Sequence, residues 1–233
     1  MIGLASEVSS SPLSFWAYFM DHLSTDLQLF WTHTWLSILP VVIALLIALP
    51  IGWLANRYSW SYPPIMSISG LLYTIPSIAL FVLIPPLLGL DPLSVVQVAI
   101  ALTIYSVALL VRVVADGLAS VSEDTRQAAT AIGYTPFARL IKVDLPIATP
   151  VIIAGLRVAV VSNVSIVAIA STVGFQNLGS LFITGYQLST GTSPYYPPIV
   201  LGLILCLILA LALDAVVIAV GRAFTPWRKA VRS

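Results

Sequence analysis

Long uncharged runs alternate with short polar segments along most of this chain. Residues 35–55, 58–90, 92–111 and 158–213 contain no Asp, Glu, Lys or Arg. A helix needs about 20 apolar residues to cross a bilayer, so the longest run has room for two crossings and the loop between them. The pattern therefore predicts five transmembrane helices, near residues 35–56, 64–86, 94–116, 148–172 and 198–221.

Residues 13–33 follow a different pattern, because polar and apolar residues are mixed there. Apolar side chains recur at helical spacing at Phe15, Phe19, Leu23 and Leu27, whereas the polar side chains include Asp21, His22 and Asp26. One apolar face and one polar face are typical of a helix that lies on a membrane surface. We expect an interfacial helix on the outer side, and a short or tilted span is the alternative.

The composition places the whole chain in the membrane. Hydrophobic residues make up 59% of the 233 residues and charged residues only 8%, whereas soluble domains contain about 25% charged residues. This composition predicts an all-α, polytopic membrane protein with a single transmembrane domain over residues 1–233. The net charge of +1 argues against a nucleic-acid partner. Because Cys206 is the single cysteine and H-E-x-x-H is absent, we expect no disulfide, metal site, cofactor or enzyme activity in this chain.

The basic residues predict an orientation. All ten Lys and Arg residues fall on one side of the predicted bundle or within a few turns of it. That side receives the loops at 57–63 and 117–147 and the C-terminus. Basic residues concentrate on the cytoplasmic side of membranes, so we expect an outer N-terminus and a cytoplasmic C-terminus in a bacterial plasma membrane. No cleavable signal peptide is expected, because the first basic residue is Arg57.

The segment 122–146 is a polar and charged interruption between the third and fourth predicted spans. Its start has a good N-cap and acidic residues that favour a helix N-terminus, namely Ser122, Glu123 and Asp124. Gly133 provides a break, and Pro136 suits the first turn of a second helix. We therefore expect two short helices around a turn, and we expect Leu145-Pro146 to end the second helix.

The spacing within this segment resembles a known pattern. Ala128-Ala129 is followed by three residues, Gly133, nine residues and then Val143-x-Leu145-Pro146. This resembles the cytoplasmic loop of ABC-importer permeases, E-A-A-x3-G-x9-I-x-L-P, through which the ATPase drives the permease. The resemblance implies ATPase-coupling roles for Glu123, Asp124, Gln127, Ala128, Ala129, Gly133, Leu145 and Pro146. Gln127 stands where the family pattern has Glu, so this chain cannot form the charged pair that such a Glu would make.

Further motifs extend the resemblance from about His33 to Trp227. They are Thr74-Ile-Pro-Ser77, Leu145-Pro-Ile-Ala-Thr-Pro150, Ala154-Gly-Leu-Arg157 and Val173-Gly-Phe-Gln-Asn-Leu-Gly179. Together they resemble the osmoprotectant permeases, which carry glycine betaine, carnitine, choline or proline. The resemblance implies a type I ABC-importer permease fold and a transport subunit rather than an enzyme.

The same resemblance implies partners. They are ABC ATPase subunits that carry ATP and Mg²⁺, a second permease subunit and an extracellular solute-binding protein, and a heterodimer of permeases is favoured over a homodimer. The chain itself has no G-x4-G-K-[ST] nucleotide-binding motif. The alternatives are a permease for another small solute such as an amino acid, or a stand-alone secondary transporter or channel.

Two charged residues fall well inside the predicted spans. Arg157 lies about 16 Å along its helix from Pro146, and Asp214 lies about 12 Å along its helix from Arg222. Arg157 and Asp214 either pair with each other or line a wet pathway, and we treat them as translocation-path candidates. The alternative is that Arg157 reaches the headgroups while Asp214 caps a neighbouring backbone.

Several tyrosines fall in or near the spans, at Tyr73, Tyr105, Tyr186, Tyr195 and Tyr196. Aromatic rings suit quaternary ammonium ligands. Packing in the membrane core and at its interfaces is the commoner role for such residues, so the sequence assigns none of them to a substrate.

Overall fold

The computed structural model describes residues 15–91, 94–189 and 194–226, and this part of the chain contains helices but no β-strand. The helices are α1 (Phe15–Arg57), α2 (Tyr62–Thr74), α3 (Ser77–Leu88), α4 (Val95–Ala119), α5 (Glu123–Ala131), α6 (Pro136–Arg139), α7 (Leu145–Ile169), α8 (Ser180–Gln187) and α9 (Tyr196–Phe224). A π-helical turn at Leu140–Asp144 precedes α7, and a 3-10 turn at Ala170–Val173 follows it.

The described residues include four helical segments that are long and apolar enough to cross a membrane. They are α1, α4, the continuous stretch Pro136–Val173 that contains α7, and α9, and the bent pair α2–α3 makes a fifth if it counts as one span. Helix α4 lies at the centre and packs against α1, α2, α3 and α7, while α9 packs against α7 and α8. The architecture is therefore an all-α, polytopic membrane fold.

Helix α1 is one helix of 43 residues, so the predicted surface helix and the first predicted span are continuous. Residues 13 and 14 of the predicted surface segment lie outside the described residues. The polar residues of α1 divide between two environments, because Asp26 is only 3% exposed and His33 is fully buried, whereas Asp21 is exposed. The sequence pattern predicted the helix but not its covered face, since lipid accepts apolar side chains as readily as a protein core does.

Helices α1 and α9 run parallel to each other. Near their N-terminal ends, the ring centroids of Tyr18 and Tyr195 are 6.0 Å apart. Further along, Val41 and Val217 border the same apolar groove. The C-terminal end of α1 contacts α5 through Asn56, so we call this end of the bundle the loop side and the opposite end the far side.

The predicted span at 64–86 is instead two helices, because α2 and α3 meet at an angle of 99°. The break falls at Ile75 and Pro76, and Ile75 has an extended backbone with φ −66° and ψ 127°. Proline lacks an amide hydrogen and forces the preceding residue out of the helical conformation. Both arms of this bend pack against α4.

Close contact between α4 and α7 depends on a glycine. A methyl group in place of the Gly155 hydrogen would overlap the side chain of Val113 on α4. Small residues allow membrane helices to approach closely, which is where their packing energy comes from. Gly155 therefore sets the position of this part of α7, including Arg157 half a turn further along.

Candidate functional site

The segment 122–146, which we call the coupling loop, begins with α5, and the N-terminus of this helix is capped. The hydroxyl oxygen of Ser122 accepts a hydrogen bond from the amide of Thr125 at 3.3 Å. Glu123 and Asp124 occupy the first turn, where their negative charge complements the helix dipole. Local sequence signals thus account for the start of α5.

Helix α5 ends at Ala131, and Gly133 two residues later has a positive φ of 92°. The amide of Tyr134 donates to the carbonyl oxygen of Ala129 at 3.1 Å, and the amide of Gly133 donates to that of Thr130 at 3.0 Å. This pair of bonds is the Schellman motif, in which glycine is favoured because it has no Cβ to clash in the left-handed region. The chain therefore reverses direction at Gly133.

The second helix, α6, has its own cap, because the hydroxyl oxygen of Thr135 accepts from the amide of Ala138 at 3.3 Å. The prediction that Leu145-Pro146 ends this helix is wrong. The helix passes through the π-helical turn, where the amide of Leu145 donates to the carbonyl oxygen of Leu140, and continues as α7. Pro146 lies in the first turn of α7, where its missing amide hydrogen matters least.

The two short helices are held together by Arg139. Its Nε lies 3.4 Å from Oδ2 of Asp144, and its Nη1 donates to the hydroxyl of Thr130 at 3.3 Å. Asp144 is buried, so the ion pair is shielded from solvent and constrains the loop more than an exposed pair would. Arg139 therefore joins α5 to the π-helical turn that leads into α7.

Arg126 anchors α5 to the membrane helices. Its Nη2 donates to the carbonyl oxygen of Leu118 at 2.6 Å and to Oδ1 of Asn56 at 3.1 Å. One side chain thus connects the loop to the ends of α4 and α1. The sequence identified Arg126 only as one of the basic residues, because its partners are 8 and 70 residues away along the chain.

The structure divides the predicted coupling residues into two groups. The exposed residues are Glu123, Asp124, Gln127, Ala128 and Gly133. Ala129 is buried, and Leu145 and Pro146 are half-buried at the start of α7. The first group is available to a partner, whereas the second group supports the loop from within.

Two apolar residues on the same loop were not among the predicted site residues. Ile132 is 77% exposed and Phe137 is 65% exposed, on either side of the Gly133 turn. Their signal in the sequence was an isolated large apolar side chain within a polar segment. An exposed apolar surface of this kind indicates a binding surface for another protein.

Arg157 and Asp214 form a two-pronged ion pair between α7 and α9. Nε of Arg157 lies 2.6 Å from Oδ1 of Asp214, and Nη2 lies 2.8 Å from Oδ2. Arg157 borders two open grooves, of about 310 Å³ and about 560 Å³, and Asp214 borders the larger one. The structure thus agrees with the pairing interpretation, while a role in the translocation path remains a prediction.

The family follows from comparison with known proteins. Residues 48–222 match the model of the family described as binding-protein-dependent transport system inner membrane component. A membrane bundle with an exposed loop between two spans suits a transport subunit of this kind. This chain belongs to that family of binding-protein-dependent inner-membrane permeases.

Individual relatives are similar over most of their length. The chain is 38% identical over 170 residues to the osmoprotectant import permease protein OsmW of Salmonella typhimurium, covering 72% of this chain and 79% of OsmW. It is 30% identical over 212 residues to the glycine betaine/carnitine/choline transport system permease protein OpuCD of Bacillus subtilis, covering 91% of this chain and 90% of OpuCD.

The fold also resembles a solved structure. A chain of the MetNI methionine ABC transporter, in an inward-facing conformation, superposes with a TM-score of 0.73 and 22% identity. The match covers 86% of this chain and 98% of that chain. The likeness shows that the predicted importer-permease fold is the fold of this chain.

Proposed function

We propose that this chain is the permease subunit of an ATP-driven importer for a compatible solute of the glycine betaine, carnitine, choline or proline class. The observation that carries this function is the loop surface around Gly133. There the exposed Ile132 directly follows α5 and the exposed Phe137 lies on α6, and Arg126 and Arg139 fix these two helices. A rigid, exposed, partly apolar loop on a membrane protein is suited to receive force from a partner.

The proposed solute class rests on the relatives. OsmW is named as an osmoprotectant import permease, and OpuCD is named for glycine betaine, carnitine and choline. Both similarities extend over more than two thirds of this chain. The relatives therefore favour transport of a compatible solute as the function of this chain.

The proposed partner at the loop is an ABC ATPase that binds ATP and Mg²⁺. Glu123, Asp124, Gln127, Ala128 and Gly133 supply the polar and small part of the surface. Ile132 and Phe137 supply the apolar part. Small side chains allow close packing, and apolar side chains provide the hydrophobic contribution to binding.

A second permease and an extracellular binding protein complete the proposed complex. The α7–α9 face with Arg157 and Asp214 supports a second permease, because a charged pair facing lipid is costly and a pair facing another subunit or a wet pathway is not. We infer that Arg157 and Asp214 border the translocation path. A heterodimer of two related permeases is the preferred assembly.

We also propose that the loop side faces the cytoplasm and the far side faces outward. Helices α1 and α9 both end in basic residues on the loop side, at Arg57 and Arg222, and α5 to α7 add three more, at Arg126, Arg139 and Lys142. The excess of basic residues on one side is the usual sign of the cytoplasmic side. In the proposed orientation the N-terminus is outside and the C-terminus is in the cytoplasm.

The test is uptake of labelled glycine betaine into proteoliposomes that contain this chain, its ATPase, a second permease and the binding protein. We expect uptake that requires ATP. Uptake without ATP would contradict the importer class. ATP-dependent uptake of another solute, with glycine betaine, carnitine, choline and proline all excluded, would contradict the solute class while keeping the importer.

A further inference from the structure

A second polar feature lies in the membrane interior, away from the loop. The break between α2 and α3 follows Tyr73, and this residue faces Tyr105 on α4 with ring centroids 5.9 Å apart in an edge-to-face arrangement. Ser106, Ser162 and Asn163 border the same small niche. We call this set of five residues the tyrosine–asparagine niche.

Asn163 has unused hydrogen-bonding capacity. It is only 2% exposed, and its Oδ1 accepts from the hydroxyl of Ser106 at 3.3 Å. Within the described part of the protein, its Nδ2 has no hydrogen-bond partner. Buried polar groups almost always have partners, so an unpaired amide donor at this position indicates a missing acceptor.

The break between α2 and α3 leaves backbone polar groups at membrane depth, which favours a polar environment around it. Tyr73 lies about 17 Å along α2 from its start at Tyr62 on the loop side, which is roughly half the thickness of a bilayer. Non-helical backbone at membrane depth is tolerated where it is covered by protein or lines a water-filled cavity. The break at Ile75 and Pro76 therefore favours a polar cavity next to Tyr73.

The niche lies next to the groove that contains the ion pair. Ser162 borders both the niche and the larger groove beside Arg157 and Asp214. Arg157 lies six residues before Asn163 on α7, about 9 Å towards the loop side. At about 100° per residue the two side chains point about 120° apart around α7, so the niche and the ion pair lie on neighbouring sides of the same helix.

We propose that Tyr73, Tyr105 and Asn163 form this permease's half of a transmembrane contact site for a solute that carries both a quaternary ammonium group and a carboxylate. The tyrosine rings present their faces to the ammonium group, since the negative face of an aromatic ring attracts such cations. The free Nδ2 of Asn163 donates to the carboxylate. The site deepens the proposed importer function and depends on it.

The niche is too small in this conformation to hold a solute, so the permease must change conformation to bind one. Its volume in this structure is about 10 Å³, which is space for about one water molecule. Tyr73 is half-exposed, so its ring is open on the side away from α4. The niche therefore widens, and the second permease closes its open side, when the complex carries a solute.

The test measures glycine betaine carried per ATP hydrolysed, in the reconstituted complex with saturating binding protein. For Tyr73→Leu and Asn163→Asp we expect a fall of about tenfold in this ratio, corresponding to the loss of one good contact. We expect ATP hydrolysis itself to stay within about twofold of wild type, because the loop is untouched. Tyr73→Phe keeps the ring and should keep the wild-type ratio, and so should the control Trp31→Leu, an exposed α1 aromatic outside the niche.

The outcomes separate the site from the function. A wild-type complex that shows no ATP-dependent uptake of glycine betaine, carnitine, choline or proline contradicts the proposed solute class and with it the site. ATP-dependent uptake of choline or proline, but of neither glycine betaine nor carnitine, keeps the function and overturns the site. If the wild type transports and both Tyr73→Leu and Asn163→Asp keep its ratio, the site alone is overturned. Where Asn163→Asp lowers the yield of folded complex, Asn163→Ser provides the second variant, and a normal ratio in it has the same meaning. An equal fall in ATP hydrolysis and uptake identifies a structural role and also overturns the site.

Discussion

The guanidinium group of Arg157 and the carboxylate of Asp214 meet through two short contacts, of 2.6 Å and 2.8 Å, and so connect α7 to α9. Each residue alone would be a charge within a predicted span. Together they satisfy each other and still leave side-chain surface exposed, 44% for Arg157 and 24% for Asp214. This combination explains how charged groups are kept at this depth and remain accessible to a pathway.

Removing one member of the pair should cost more than removing both. We expect Asp214→Leu to lower the temperature of thermal unfolding, because Arg157 is left without its partner within a membrane span. The double variant Arg157→Leu/Asp214→Leu should recover most of that stability. Thermal unfolding in detergent measures both effects.

The same double variant tests the pathway. If Arg157 and Asp214 border the translocation path, the double variant is stable but transports glycine betaine poorly. Normal transport by a stable double variant would restrict the pair to a structural role. The swapped pair Arg157→Asp/Asp214→Arg is the control, since it restores the ion pair with reversed direction.

Gly133 should tolerate only residues that accept a positive φ. We expect Gly133→Val to destabilise the loop by about 1–2 kcal/mol, because a β-branched residue at a φ of 92° is strained. Gly133→Asn should have a smaller effect, since Asn enters the left-handed region more readily. The measurement is ATP-driven uptake. Wild-type uptake by both variants would show that the left-handed conformation at Gly133 is not needed.

The apolar loop surface should contribute to ATPase binding. We expect Ile132→Asp and Phe137→Asp to reduce co-purification of the ATPase about tenfold or more, since each places a charge where an apolar contact is proposed. Both side chains are exposed, so the permease alone should keep its thermal stability.

The matched control for the loop surface is Leu188→Asp. Leu188 is an exposed apolar residue that directly follows α8, away from the loop, and its replacement should leave ATPase co-purification unchanged. If the ATPase co-purifies normally with both loop variants, it does not bind the surface around Gly133.

Arg126 and Asn56 should behave as a coupled pair. Lysine lacks the planar group with which Arg126 reaches two acceptors at once. We therefore expect Arg126→Lys to lower the free energy of unfolding by about 1–3 kcal/mol and to speed proteolysis of the 120–144 loop. Asn56→Ala should have a smaller effect, and combining it with Arg126→Lys should add little. Strictly additive effects on loop proteolysis would mean that the two side chains act independently.

Much of the site near Gly133 was predictable because its determinants are local. Ser122, Thr135 and Gly133 act through hydrogen bonds to residues within five positions along the chain. Such caps depend on neighbouring residues and not on the rest of the fold. The π-helical turn before Pro146 was not predictable, since continuation into α7 depends on how that helix packs.

The sequence by itself determined the all-α membrane class, the approximate places of the crossing segments and the position of the polar loop, because hydropathy and local capping are properties of short segments. Only the tertiary structure decided that α1 turns Asp26 inward, that α2 and α3 meet at 99°, and that Arg157 reaches Asp214. In lipid, apolar faces do not reveal which side of a helix is covered, so these choices depend on packing between distant parts of the chain.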